Sequence, residues 1–353
     1  MERRELLGTV ATVGAAVVAG CSNAPSPGGG GDGGANDGGD GGGDGDGGEN
    51  TSDGGDGGGE ESTTDGENDA DLYVAQAVST LNAVALRLNK VQDELDAPEE
   101  VELDQEKLLS GIEEARGNLD AASETATDEQ AAQIETLRHL ATVLEELTRV
   151  VGILLAVDPD AVAENAKTAV DAENYDEALS VVRDANSKAT TAQERTTTAE
   201  DALTGVDPDR LAAVDGVEYA KVESAVTETA TLVDGFETLT GGYEASILGA
   251  QDLESGRSHS EAEEFDAAKA DFENARAHFE TANETFATAD ADADGDLSAR
   301  IDVASCQTTH LEQAAIAFEE GATDASDGNL VEARQHRENG EEQMEQVDAC
   351  GGK

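Results

Sequence analysis

Basic residues are scarce in this chain, and tryptophan is missing altogether. Lys and Arg number 21 against 79 Asp and Glu, which gives a formal net charge of −58 over 353 residues. Contacts with phosphate need a basic face, so this composition argues against a nucleic-acid partner. An anionic lipid surface would repel the chain too, so any attachment to a membrane must come from something other than charge.

Recognisable catalytic motifs are absent from the sequence as well. None of the five His residues forms a His-Glu-x-x-His motif, and none is expected near a Cys at the spacing of zinc ligands. The glycines form no phosphate-binding loop between a strand and a helix, and no Gly-x-Ser-x-Gly elbow occurs. The sequence therefore predicts no cofactor and no enzymatic activity.

The acidic residues are spread along the whole chain. Such an excess repels itself in dilute salt, and the screening length shortens from about 10 Å at 0.1 M salt to about 3 Å at 1 M. With more Arg than Lys and abundant Ala, the composition resembles that of proteins from extremely halophilic archaea. This resemblance implies a working environment of concentrated salt; the alternative is an acidic protein from an ordinary organism.

The first 21 residues are typical of an export signal. The apolar run 6–19 has about 14 residues, fewer than the roughly 20 that a membrane-spanning helix needs. Arg3 and Arg4, followed by two leucines, resemble a twin-arginine export signal, and Val-Ala-Gly before Cys21 resembles a lipobox. The resemblance implies a lipid on the Cys21 thiol and a location at the extracellular face of the cell membrane. The alternative is a single-pass anchor helix with a chance Cys.

Residues 22–68 are predicted to be a disordered linker. They are rich in Gly and Asp, and 20 of the 39 glycines lie between Gly28 and Gly66. Such a segment cannot bury enough apolar surface to offset the entropy of ordering. Asn50 begins an Asn-Thr-Ser sequon and is a candidate for glycosylation in this exposed stretch.

Residues 69–350 are predicted to form an all-α domain of antiparallel helical hairpins. Apolar residues recur at intervals of three and four, and no segment shows sustained strand alternation. Gly-containing breaks at 241–242, 255–256 and 327–328 predict helix ends. The hairpins are arranged in one domain or in two subdomains, 69–204 and 208–350.

A short pattern recurs three times at predicted helix starts. A large apolar residue opens the helix and Ala follows three positions later, in segments 175–178, 265–268 and 330–333. The pattern resembles the start of the second helix in a tetratricopeptide hairpin, although the copies are not spaced at the usual interval of about 34 residues. Ordinary packing in an irregular bundle is the alternative.

Four phenylalanines in one predicted helix form a second regularity. They recur every seven residues and predict a packing seam against a neighbouring helix, or a groove for a partner helix. They are Phe265, Phe272, Phe279 and Phe286.

Once Cys21 is acylated, Cys306 and Cys350 remain. Both lie equally far from Gly328, the turn between predicted helices 297–322 and 330–349. Residues equidistant from the turn of an antiparallel hairpin are neighbours, so a disulfide is predicted. Two free, partly buried thiols are the alternative.

An Asp-rich segment begins like a calcium-binding loop, with Gly295 at its sixth position. The candidate calcium ligands are Asp290, Asp292, Asp294 and Asp296. The twelfth position, which should carry a bidentate carboxylate, is Ile301. An Asp-rich turn in a very acidic protein is the alternative.

The first functional hypothesis is a lipid-anchored scaffold or adaptor for an unidentified envelope protein. It depends on the predicted helical hairpins and the anchor at Cys21. A solute-capture lipoprotein that serves a transporter is the alternative, and a purely structural envelope component cannot be separated from the scaffold.

Overall fold

The computed structural model describes residues 65–94, 103–212, 217–289 and 296–351. Within these ranges the chain is helical apart from short turns and contains no β-strand, so the all-α prediction is confirmed. Arg3, Arg4, Cys21 and Asn50 lie outside the described residues.

The helices are, in chain order, α1 Asp65–Glu94, α2 Gln105–Ser123, α3 Asp128–Ala156, α4 Pro159–Asp171, α5 Tyr175–Leu203, α6 Pro208–Ala212, α7 Tyr219–Glu261, α8 Phe265–Ala287, α9 Asp296–Ser326 and α10 Leu330–Val347. A short 3-10 turn, Asp348–Gly351, follows α10.

The long helices pack mainly in series. α1 packs on α2, α2 on α3, α3 on α5 and α5 on α7, and the series continues through α8, α9 and α10. The 43-residue α7 connects the two ends of this array. Its first turns join the core of α1–α3, and its later turns pack against α5 and α8. The predicted boundary between two subdomains lies at 204–208. The core of α1–α3 includes residues on both sides of that boundary, and the division into subdomains stays a prediction.

Local signals at helix starts agree with the sequence. Thr127 and Gln130 form a reciprocal capping box before α3. Pro159 and Pro208 each occupy the first position of a helix, where the missing N–H has no cost. The carboxylate of Asp207 accepts hydrogen bonds from backbone N–H groups at the start of α6.

The same turn precedes α5, α8 and α10. In each case one residue adopts a positive φ: 58° at Glu173, 61° at Glu263 and 84° at Gly328. The next backbone N–H donates to a carbonyl five residues earlier, at 2.8–2.9 Å. This is a Schellman-type helix ending, which closes each helix and directs the chain into the next one. The three recurring segments therefore do begin helices, while their tetratricopeptide-like character stays a prediction.

Two of the predicted helix ends are wrong. Gly241-Gly242 and Ser255-Gly256 lie inside α7, which continues to Glu261. The physical reason is a tertiary contact: a Cβ at Gly256 would come within 2.6 Å of the ring of Phe272 in α8, and Gly242 faces Phe286 in the same way. The glycines make room for rings and do not break the helix. Gly328, the third predicted break, does end α9.

The phenylalanine stripe is a packing seam of the protein itself. Phe272, Phe279 and Phe286 are buried against α7, and Phe265 is half-buried at the start of α8. α7 thus occupies this face, so the alternative of a groove for a partner helix is wrong.

The scarce cations connect different helices. Arg116 of α2 pairs with Glu145 of α3, Arg195 of α5 with Glu146 at 2.8 Å, and Arg183 with Glu244 of α7 at 2.6 Å. Burial raises the pKa of Glu145, but hydrogen bonds and charge from Arg149 and Arg116 outweigh it and lower the pKa below its usual value.

Cys306 of α9 and Cys350 in the 3-10 turn form the predicted disulfide, with their Cα atoms 5.8 Å apart. It closes the α9–α10 hairpin at the end opposite Gly328. The bond therefore holds the end of the last helix against its neighbour.

Candidate ligand-binding site

A cavity of about 80 Å³ lies where five helices meet. One side of α4, the first residue of α5 and the C-terminal half of α7 form most of its wall, and α9 and α10 close it with Leu311, Met344 and Val347. Most of the lining side chains are apolar. A small number of polar groups in an otherwise apolar hollow is typical of sites for small molecules.

Tyr175 is the one lining residue that comes from α5. Its side chain is only 9% exposed, and its hydroxyl is buried without a hydrogen-bond partner among the described residues. Burial raises the pKa of Tyr175 to about 12, and the charges of Glu254 and Glu173 add to this, while Arg257 opposes it. The hydroxyl is therefore neutral at ordinary pH and is a donor that lacks an acceptor.

Three charged side chains also line the cavity: Lys167 from α4, and Glu254 and Arg257 from α7. Nη1 of Arg257 lies 3.5 Å from Oε2 of Glu254. The lining thus carries two cations and one carboxylate in a chain whose net charge is −58. The acidic Glu254 and Glu173 nevertheless act on Tyr175 more strongly than Arg257 does.

The local sequence explains how these groups meet. The turn at Glu173 ends α4, and the side-chain oxygen of Asn174 accepts a hydrogen bond from the N–H of Glu177 at 3.4 Å, which starts α5 at Tyr175. Along α7 the lining residues recur at intervals of three and four, so they share one helical face. The sequence pattern singled out Tyr175 as a helix-opening residue, but it gave no sign of Lys167 or Arg257.

A second cluster surrounds the disulfide. Ligand atoms of Cys306, His310 and Cys350 lie within 4.8 Å of one another. The expectation that no His stands near a Cys at metal-ligand spacing is wrong, since His310 follows Cys306 by four residues and lies on the same helical face. Nδ1 of His310 contacts Oε1 of Gln343 at 2.9 Å. With both sulfurs in the disulfide, neither is a thiolate, which is the form that binds a metal.

Two Asp–His pairs connect α7 to α8. Nδ1 of His259 lies 2.6 Å from Asp271, and Nε2 of His278 lies 3.5 Å from Asp252. Burial and the charge of Asp271 raise the pKa of Asp252, while His278 opposes the shift. These pairs bridge adjacent helices at partly exposed positions and do not line the cavity.

The predicted calcium ligands fall at the edge of the described ranges. Asp290, Asp292 and Asp294 lie outside the described residues, and Asp296 begins α9 with its side chain not described. Ile301, at the twelfth position, is 4% exposed and packs in the core. Calcium binding stays a prediction.

Comparison with known proteins gives no match: no family model, no curated protein and no solved structure resembles the chain. Among the described helices, none has both the length and the apolar character that crossing a membrane requires.

Proposed function

We propose that this chain is a lipid-anchored binding protein at the extracellular face of the cell membrane, where its helical domain acts as a scaffold for an envelope protein. The observation that carries the proposal is the serial packing of α7, α8, α9 and α10. Helices stacked in series present extended surfaces to partners, whereas a closed bundle buries them.

The chain N-terminal to the helices supports this location. Arg3, Arg4 and Cys21 supply the export and lipidation signals. The Gly-rich linker, 22–64, ends where α1 begins at Asp65, and its roughly 43 residues would span about 33–39 Å as a flexible coil. Repulsion between its carboxylates would extend it further. The disulfide between Cys306 and Cys350 agrees with an oxidising compartment.

The first turn of α10 offers a contact point for a partner. Leu330 and Val331 are adjacent, and their side chains are 68% and 79% exposed. Two neighbouring large apolar side chains this exposed are costly in water and favourable in an interface. Leu72 and Leu86 of α1 are exposed to a similar extent, 55% and 68%, and give a matched control.

Cross-linking and pull-down from an envelope extract in concentrated salt test the scaffold. The wild-type chain should retain a discrete partner, and changing both Leu330 and Val331 to Ser should remove most of it. The control that changes both Leu72 and Leu86 to Ser should retain it. If both double variants recover equal amounts of the partner, Leu330 and Val331 are not part of the interface. If the wild-type chain retains no partner, the scaffold function is contradicted.

Solute capture is the second candidate function, and the cavity beside Tyr175 favours it. A scaffold does not need a largely apolar cavity between its helices, whereas a solute receptor uses such a cavity to hold its ligand. Both functions are binding functions, and we propose no enzymatic activity for this chain.

A further inference from the structure

We propose that Cys306, His310 and Cys350 bind a zinc ion when their disulfide is reduced. The end of α10 is then held to α9 by a metal in the reduced protein and by the disulfide in the oxidised protein. The site gives the protein a metal ligand and a dependence on redox conditions. It does not depend on the lipid anchor, on the scaffold or on solute capture.

The first reason is the geometry of the three residues, whose ligand atoms lie within 4.8 Å of one another. Cys306 and His310 lie one helical turn apart in α9, and the α9–α10 hairpin brings Cys350 beside them. Zinc bonds of about 2.3 Å to sulfur and about 2.0 Å to nitrogen would place the three atoms about 3.5–3.8 Å apart in a tetrahedral site. Because the Cα atoms of the two cysteines are only 5.8 Å apart, rotation of their side chains can supply this spacing.

The second reason is the chemistry of the ligands. Two thiolates and an imidazole are ligands that zinc prefers, whereas the 79 carboxylate side chains of this protein suit calcium and magnesium. Nδ1 of His310 lies 2.9 Å from Oε1 of Gln343. A His that binds a metal commonly donates its other ring N–H to such an acceptor, which orients the ring. Three protein ligands leave the fourth position of the zinc ion to water.

Reduction of the disulfide supplies the two thiolates. A dithiol or a phosphine gives two electrons to the S–S bond and is itself oxidised, to a disulfide or to a phosphine oxide, and two protons from water complete the two thiols. Zinc then displaces both protons, because the thiolate is the form that binds a metal. All three side chains are partly exposed, so the reductant and the ion can reach them. Reducing conditions therefore favour the zinc form, and an oxidising compartment favours the disulfide.

Zinc titration of the full chain with Cys21→Ser tests the site, because Cys306 and Cys350 are then its only thiols. The chain is reduced with a phosphine, and binding is measured in concentrated salt with excess Mg²⁺, which occupies surface carboxylates. The reduced chain should bind zinc with a dissociation constant of about 1 μM or tighter, and the oxidised chain at least about 100-fold more weakly. Equal affinity of the two forms, or no binding by the reduced chain, would overturn the proposal.

Variants of the same chain then identify the ligands. In the reduced state, Cys350→Ser should weaken zinc binding about 100-fold or more and His310→Gln about tenfold or more. His139→Gln, in α3, is the matched control and should bind zinc like the parent chain. Zinc should also raise the melting temperature of the reduced parent chain and leave that of the oxidised chain unchanged. Circular dichroism confirms that each variant is folded, and parent-like affinity in folded His310→Gln would overturn the three-residue site.

Discussion

Gly249 of α7 faces the ring of Phe279 of α8, and a Cβ added at Gly249 would come within 2.6 Å of that ring. Gly256 and Phe272, one heptad away, repeat the relation at the same distance. Glycines and phenylalanines thus recur every seven residues on two helices that run in opposite directions. The glycines leave room for the rings, so α7 packs closely against a helix rich in phenylalanine.

Gly249→Ala should destabilise the protein by about 1–3 kcal/mol, because the added methyl group must displace the ring of Phe279 in a packed interface. Gly117→Ala is the matched control: Gly117 lies in α2, and an added methyl group there would meet nothing within 4 Å, so better helix propensity should stabilise the protein by up to about 1 kcal/mol. Denaturant unfolding at fixed salt measures both. A stabilised Gly249→Ala would contradict the interface.

Glu263→Gly should stabilise the protein by about 1 kcal/mol. Glu263 has φ 61° in the turn between α7 and α8, where a Cβ is strained and glycine is not. The reverse test is Gly328→Ala in the turn between α9 and α10, where φ is 84°, and stability should fall by a similar amount. Thermal unfolding of both variants is the measurement, and equal melting temperatures for all three chains would contradict these turn conformations.

Alkaline pH should weaken the fold through Tyr175. Its pKa is about 12 in the native protein against a usual 10.0, so its contribution to the free energy of unfolding is complete below pH 10 and is lost as pH rises to about 12. A phenolate titration followed by ultraviolet absorbance should show one component near pH 12. Tyr175→Phe should remove that component and flatten the loss of stability between these pH values, whereas Tyr219→Phe should leave the component near pH 12 in place.

Helical content should fall as salt drops below about 1 M, because screening lengthens and the acidic surface repels itself. Among the described residues, the five ion pairs that arginines form between helices are too few to offset this repulsion; they involve Arg116, Arg138, Arg183, Arg195 and Arg276. Circular dichroism across a salt series is the measurement. An unchanged spectrum down to about 50 mM salt would contradict the link between acidity and salt.

Sequence patterns predicted the features that depend on near neighbours. The helix starts at Tyr175 and Phe265 follow from local chemistry, and the pairing of Cys306 with Cys350 across Gly328 follows from the symmetry of one hairpin. Such features need no knowledge of what packs against them.

Features set by distant residues could not be predicted in this way. Gly242 and Gly256 have the local signature of helix breakers, and only the rings of α8 explain why α7 continues through them. The cavity is formed by residues that lie as far apart in sequence as Ala163 and Val347, and its character depends on which helices meet. The hydroxyl of Tyr175 is buried without a hydrogen-bond partner among the described residues. This depends on how the helices pack together, and no local sequence pattern predicts it.

Mass spectrometry of the chain purified from the membrane fraction of the producing cell tests the proposed location most directly. The account predicts a mature protein that begins at Cys21, carries a lipid on that residue, and moves to the soluble fraction when Cys21→Ser is made. A membrane-bound Cys21→Ser variant, or a mature chain whose first residue is unmodified and water-soluble, would contradict it.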